Sequence, residues 1–208
     1  MPIVAALTAF RAETATLQGF IAKAFTQDAA GAYLLTPPER SFVVDSTFLR
    51  IFIAWEGFLE QAFVSYLLGH PSSTGKVAVR HATPVSEQHA RDILIGTQKF
   101  VDWANPEIVR RLARLYLTNG EPIEPVISAI QADLFDLKTV RNAAAHLTST
   151  TGKPLDALAS RRLGHVCTNI AVSDFVLSPD PTPGAGGSVL DSYIEILDAG
   201  ADNIANWA

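Results

Sequence analysis

The amino-acid sequence predicts an all-α protein on three observations. Apolar residues recur every three or four positions over several long stretches; sustained apolar/polar alternation bounded by Asn-Gly or Asp-Gly hairpin turns is missing; and prolines and glycines fall between the periodic stretches. The spacing predicts helices over roughly 3–28, 41–69, 86–102, 106–117, 122–147, 154–177 and 188–206.

Each boundary has a physical reason. Pro37-Pro38 and the run from Gly69 to Gly75 read as loops, because proline removes a backbone donor and glycine weakens a helix interior. Asn105-Pro106-Glu107 reads as a helix start, with a cap residue, proline at the first helical position and an acid in the first turn; Asn119-Gly120 closes that helix. Gly152-Lys153-Pro154 predicts that the 122–147 helix has ended before it. The segment 178–187, rich in proline and glycine, reads as a linker leading to a C-terminal helix over 188–208.

At 208 residues, 48% hydrophobic and 18% charged, the chain can bury one full core, and it reads as a single domain over 1–208 with its central part at about 41–177. The beginning of the chain carries no basic leader, and Phe48–Leu68 is interrupted by Arg50, Glu56 and Glu60, so no membrane span is expected. One cysteine, Cys167, excludes an internal disulfide framework and fits a reducing compartment; the expectation is a cytoplasmic protein. A net charge of −5 argues against indiscriminate phosphate binding but leaves room for a local basic cleft.

Two helices carry the chemistry. In 41–69, Phe48, Ile51, Phe52, Trp55, Leu59, Ala62, Phe63 and Tyr66 fall on one apolar face with Glu56 at its edge, half-buried. In 122–147, Ile123, Ile127, Ile130, Leu134 and Leu137 follow a four-three seam, and the next position on it is Arg141. Asn142 and His146 lie four apart, within reach of that arginine, and Glu56 is a candidate partner for its guanidinium. A shuffled chain would contain Arg-Asn-x3-His only about 0.008 times, so chance does not account for the segment. A cation and a histidine near a helix C-terminus can also simply complement its dipole.

Asp136 through Ser149, with Arg141-Asn142-Ala143-Ala144-Ala145-His146 at its centre, resembles the signature of the HEPN superfamily. Phe100–Trp103, Asn105-Pro106-Glu107, Leu117–Pro122 and Ala54–Glu60 are similar to its RiboL-PSP-HEPN branch, and the resemblance covers roughly residues 41–150. It implies a HEPN-like helical bundle with additional peripheral helices, paired into a homodimer, that cuts RNA without metal or cofactor. Arg141, Asn142 and His146 would be the catalytic residues and Glu56 a supporting one. It also implies a toxin or defence setting, with an antitoxin or other regulatory protein as partner. The alternative is a non-catalytic helical module that binds nucleotide, RNA or a protein.

The remaining candidates read as ordinary. His70, His81 and His89 lack metal-ligand spacing and are expected at the surface. Arg110, Arg111 and Arg114, and Arg161, Arg162 and His165, are local basic groups expected to be solvated unless the fold brings them to the motif. Cys167 is expected as a small core residue.

Overall fold

The structure, a computed structural model, describes residues 2–146 and 148–208, and of Ser149 the main chain only. Among them are nine α-helices: α1 (Ile3–Ala24), α2 (Pro37–Leu67), α3 (Glu87–Ile95), α4 (Pro106–Tyr116), α5 (Ile123–Ala129), α6 (Gln131–Ala145), α7 (Ser149–Leu163), α8 (Val172–Leu177) and α9 (Val189–Ala205). The all-α class is therefore correct. None of these helices is long and apolar enough to cross a membrane.

Several boundaries differ from the spacing, each for a local reason. Helix α1 stops four residues early because the Asp28 carboxylate accepts the backbone N–H groups of Ala30 (2.8 Å) and Ala32 (3.0 Å), which turns the chain back so that Gln27 pairs with Tyr33. Pro37-Pro38 opens α2 where a loop was expected: the first turn has no use for proline's missing donors, and Glu39 accepts from both the N–H (2.7 Å) and hydroxyl (2.6 Å) of Thr36. Helix α3 starts on Ser86, whose side chain accepts from the His89 N–H, and ends on Gly96 at φ 57, well short of residue 102.

Asn105 caps α4 as expected, accepting the Glu107 N–H at 3.0 Å. The 122–147 stretch is two helices, because Ile130 leaves helical geometry at φ −106 and ψ 17 and ends α5. Leu147, the last residue expected in that stretch, lies outside the described residues. Helix α7 begins at Ser149, so Gly152 and Pro154 lie inside it, and proline in the second turn removes one helical hydrogen bond. What was expected as a single 154–177 helix divides at Gly164, which takes the left-handed conformation at φ 75.

The chain divides into two compact units. The first comprises the chain up to Arg11, Trp55–Phe135 and Ile196–Ala208. Its centre is Trp55, stacked on Phe58 at 5.8 Å and edge-on to Phe10 at 6.1 Å, with Gly200 of α9 so close that a Cβ there would meet Trp55 at 3.3 Å and Ile130 at 3.1 Å. The Tyr66 hydroxyl donates to the Ile204 carbonyl at 2.6 Å, and the 72–76 loop holds the end of the chain: Ser72 and Thr74 donate to the Trp207 carbonyl, and Lys76 covers the Trp207 ring at 3.8 Å.

The second unit comprises Ala12–Ala54 and Asp136–Glu195. The expected linker 178–187 is a closed loop in it: Pro179 pairs with Ser188, the Asp180 N–H donates to the Gly187 carbonyl at 3.0 Å, and the Asp180 side chain is enclosed. Asp156 accepts the N–H groups of Asn169 and Ile170, both at 3.0 Å, and so closes the loop between α7 and α8.

One carboxyl of this unit is poorly provided for. Burial raises the Asp45 pKa, and although the Ser173 backbone N–H opposes this, Oδ1 is enclosed without a hydrogen-bond partner and Asp174 adds like charge. A raised carboxyl pKa means that the ionised form burdens the folded state above that pKa and does not below the unfolded value. Asp45→Asn is expected to stabilise the protein by about 1 kcal/mol, or roughly 2–4 °C, at pH 7, with the gain gone by pH 3. Thermal melts across that range check it; an equal gain at both pH values would show that the charge is not the cause.

Candidate functional site

The Arg141–His146 segment is the end of α6 in the second unit. The buried stripe of α6 runs through Leu134, Leu137, Val140 and Ala143, spaced by three. Arg141 does not take the place of a core residue as the seam predicted. The break at Ile130 separates the two halves of the seam, and Val140 takes the buried position while Arg141 flanks it, half-buried. This is the arrangement a guanidinium demands, since full burial without an acid would be far more costly.

The Arg141 guanidinium is nonetheless under-used. Its Nη1 donates to Asn142 Oδ1 at 3.4 Å, a long bond, and its Nε is enclosed with no hydrogen-bond partner; among the described residues no carboxylate pairs with it. Asn142 is half-buried beside it. His146 stands one residue past the helix and is exposed, its backbone N–H still donating to the Asn142 carbonyl at 3.0 Å. The structure therefore brings Arg141 and Asn142 together, while the imidazole of His146 makes no hydrogen bond to either among the described residues.

The main chain of His146 is fixed by a group the sequence reading did not single out. The His146 carbonyl accepts the Thr148 N–H at 3.0 Å and the Thr151 hydroxyl, and Thr151 Oγ1 in turn accepts the Thr148 N–H at 3.1 Å. Thr148 and Thr151 form the capping box that starts α7, so the start of one helix holds the histidine that ends another. The signal was present as threonines three apart, but Gly152 and Pro154 argued against a helix there. Glu56 is half-buried in α2, as expected; it belongs to the first unit and the Arg141 segment to the second.

Most local basic groups are already engaged. Arg110, on α4, donates to Glu124 at 2.8 and 2.9 Å and to Gln131, and Arg114 also donates to Glu124. Burial alone would raise the Glu124 pKa, but these hydrogen bonds hold it below the usual carboxylate range. Arg161 pairs with Asp136 at 2.5 Å and Arg162 with Asp180 at 2.6 Å. Arg111 and His165 are exposed. Cys167 is only half-buried, in the loop after α7, not in the core as expected.

His81 and His89 are exposed and His70 half-buried, its Nδ1 3.4 Å from the Ser65 hydroxyl. Among the described residues no group of three or more His, Cys, Asp or Glu side chains is arranged to hold a metal ion. Comparison of the chain with protein families, characterised proteins and solved structures finds no match to any of them.

Proposed function

We propose that the protein is a metal-independent endoribonuclease of HEPN type, working as a homodimer in which two copies of Arg141-Asn142-x3-His146 form one site. The observation that carries this reading is an arginine half-buried with no carboxylate partner among the described residues, one Nε–H unspent, on the same helix end as an exposed histidine whose main chain is pinned. Guanidinium donors lacking an acid are suited to phosphate oxygens, which match their planar fork.

The chemistry needs few groups. A base removes the proton of the ribose 2′-hydroxyl, that oxygen attacks the adjacent phosphorus, and an acid protonates the departing 5′-oxygen. The products are a 2′,3′-cyclic phosphate and a 5′-hydroxyl. Arg141 bears on the negative charge of the five-coordinate transition state, and imidazole can fill either proton role near neutrality. One chain supplies a single His146 here, so acid and base come from two subunits. Asn142 orients the ribose hydroxyl or the arginine, and Glu56 is a supporting group. The resemblance adds a toxin or defence setting, with an antitoxin or similar regulator, and a cytoplasmic location.

The test is incubation of the purified protein with mixed RNA in EDTA, with the product ends mapped. Cleavage leaving cyclic phosphate is the expected result. Cleavage only after divalent cations are restored rejects the metal-independent mechanism, and intact RNA across varied substrates rejects the nuclease and leaves the non-catalytic binding module.

A further inference from the structure

A cavity in the same unit as the motif, built from other residues, has the makings of a ligand site. It is open to solvent, has a volume of about 440 Å³, within the range of small-molecule pockets, and is lined among others by Phe25, Tyr33, Arg40, Ser41, Ser173 and Asp174. One wall is a platform of flat groups: Phe25 and Tyr33 meet edge to face at 6.0 Å, and the Arg40 guanidinium lies 3.9 Å over the Tyr33 ring and 5.3 Å from Phe25. Arg40 has no carboxylate partner among the described residues, and its guanidinium rests on the aromatic faces.

The polar wall answers a different need. Asp174 lines the cavity with its carboxylate exposed and without a hydrogen-bond partner among the described residues, beside the Ser41 and Ser173 hydroxyls, which are bonded to each other at 2.7 Å. A cation and a carboxylate thus border one cavity, and neither pairs with the other. Open charges of opposite sign on a shared pocket suit a ligand that presents a flat face to one and hydrogen-bond donors to the other.

We infer that this cavity binds the guanine base of a nucleotide, stacked on the Arg40–Tyr33 platform with its Watson–Crick edge toward Asp174. Bases stack readily on aromatic rings and on guanidinium planes. A carboxylate only accepts hydrogen bonds, and guanine alone among the four bases offers two adjacent donors, N1–H and the N2 amino group, to its two oxygens. Adenine and cytosine set one amino donor beside an acceptor, and uracil flanks its single N–H with two carbonyls. As a subsite for RNA the pocket rests on the ribonuclease reading; as a site for a free nucleotide it does not.

Calorimetric titration of the full chain with 5′-GMP, AMP, CMP and UMP in EDTA tests it. GMP is expected to bind at least tenfold more tightly than the other three; Asp174→Asn removes that preference, and Arg40→Ala weakens GMP and AMP alike. Asp174 is exposed, so its substitution leaves the fold intact, and circular dichroism checks this; the comparison among four nucleotides on the unaltered protein stands without it. Absence of nucleotide binding, a preference for another base, or a GMP preference unchanged in Asp174→Asn overturns the inference. A 2′-O-methylated single-stranded oligonucleotide with one guanine separates the sources: binding that GMP displaces marks an RNA subsite, and GMP binding alone marks a nucleotide site. Because Arg141→Ala and His146→Ala leave GMP binding unchanged if the pocket is separate, loss of cleavage and loss of guanine binding are independent outcomes.

Discussion

Replacing His146 with alanine is expected to lower RNA cleavage by roughly 10²–10⁴-fold, the usual contribution of a positioned acid–base group, while leaving the folded protein as stable as the parent. His146 is exposed and its ring has no hydrogen-bond partner among the described residues, so the folded state has little to lose with it. Arg141→Ala should cost cleavage to a similar degree. Its effect on stability discriminates between readings. A guanidinium that serves only to complement a helix end would leave a less stable protein on removal, by about 0.3–1 kcal/mol. One that is half-enclosed with an unspent Nε–H carries an unrepaid desolvation burden, and alanine there should be neutral or mildly stabilising. Arg141→Lys, which retains charge but not the fork, should recover little activity.

The shared site makes a further demand on the same proteins. If acid and base come from two subunits, specific activity falls on dilution below the dimer dissociation constant, and each inactive variant mixed with parent protein poisons the mixed dimers. Measured as rate against protein concentration and as rate against variant fraction, a flat response to dilution together with strict additivity on mixing would reject the composite site. Full activity of His146→Ala would reject the assignment altogether.

What could be read from the sequence follows a physical line. The face of α2 was legible because eight apolar residues at helical spacing have one way to be buried together, and Phe48, Ile51, Phe52, Trp55, Leu59, Ala62, Phe63 and Tyr66 are each no more than 2% exposed. The Asn105 cap was legible because the cap, the proline and the acid are all local. The break at Ile130 was not, since an isoleucine on a seam gives no sign that its backbone leaves the helix. The place of Arg141 depended on that break. Where Gly152 and Pro154 suggested a stop, the Thr148–Thr151 hydrogen bonds start a helix, and these hold the carbonyl of His146. Arg110 and Arg114 read as available cations only because Glu124, ten residues or more downstream, is not a neighbour until the chain folds. For the candidate site, the sequence singled out Arg141, Asn142 and His146 but gave no sign of the unspent Nε–H that makes Arg141 a candidate phosphate ligand.

The same rule, that pairing is invisible until the chain folds, sets the largest stability effect. Asp180 sits in a stretch that composition marks as a linker, yet its side chain is 0% exposed and Arg162 is only 18% exposed. Burial by itself would raise the Asp180 pKa, but hydrogen bonds from Arg162, Ser192 and Thr182 hold it far below the usual carboxylate range. The carboxylate receives Arg162 at 2.6 and 3.2 Å and the Thr182 N–H and hydroxyl at 3.0 and 2.8 Å, so it fastens the 179–188 loop to α7. Asp180→Asn keeps the shape and removes the buried negative charge to which Arg162 and Thr182 donate, a loss that typically costs about 3–5 kcal/mol, or a melting temperature lower by roughly 10 °C for a chain of this length. The sign of the pH dependence follows from the depressed pKa. The pair's contribution is complete above the unfolded carboxyl value and is lost as pH falls through the folded one, so the deficit of Asp180→Asn should narrow between about pH 5 and pH 2. Replacing both residues together, Asp180→Leu with Arg162→Met, should recover part of the loss, because two apolar side chains leave no buried charge unmatched. A linker without a structural role would predict the opposite pattern: no change in melting temperature for either single variant, and proteolysis within 179–187 as rapid in the parent as in Asp180→Asn.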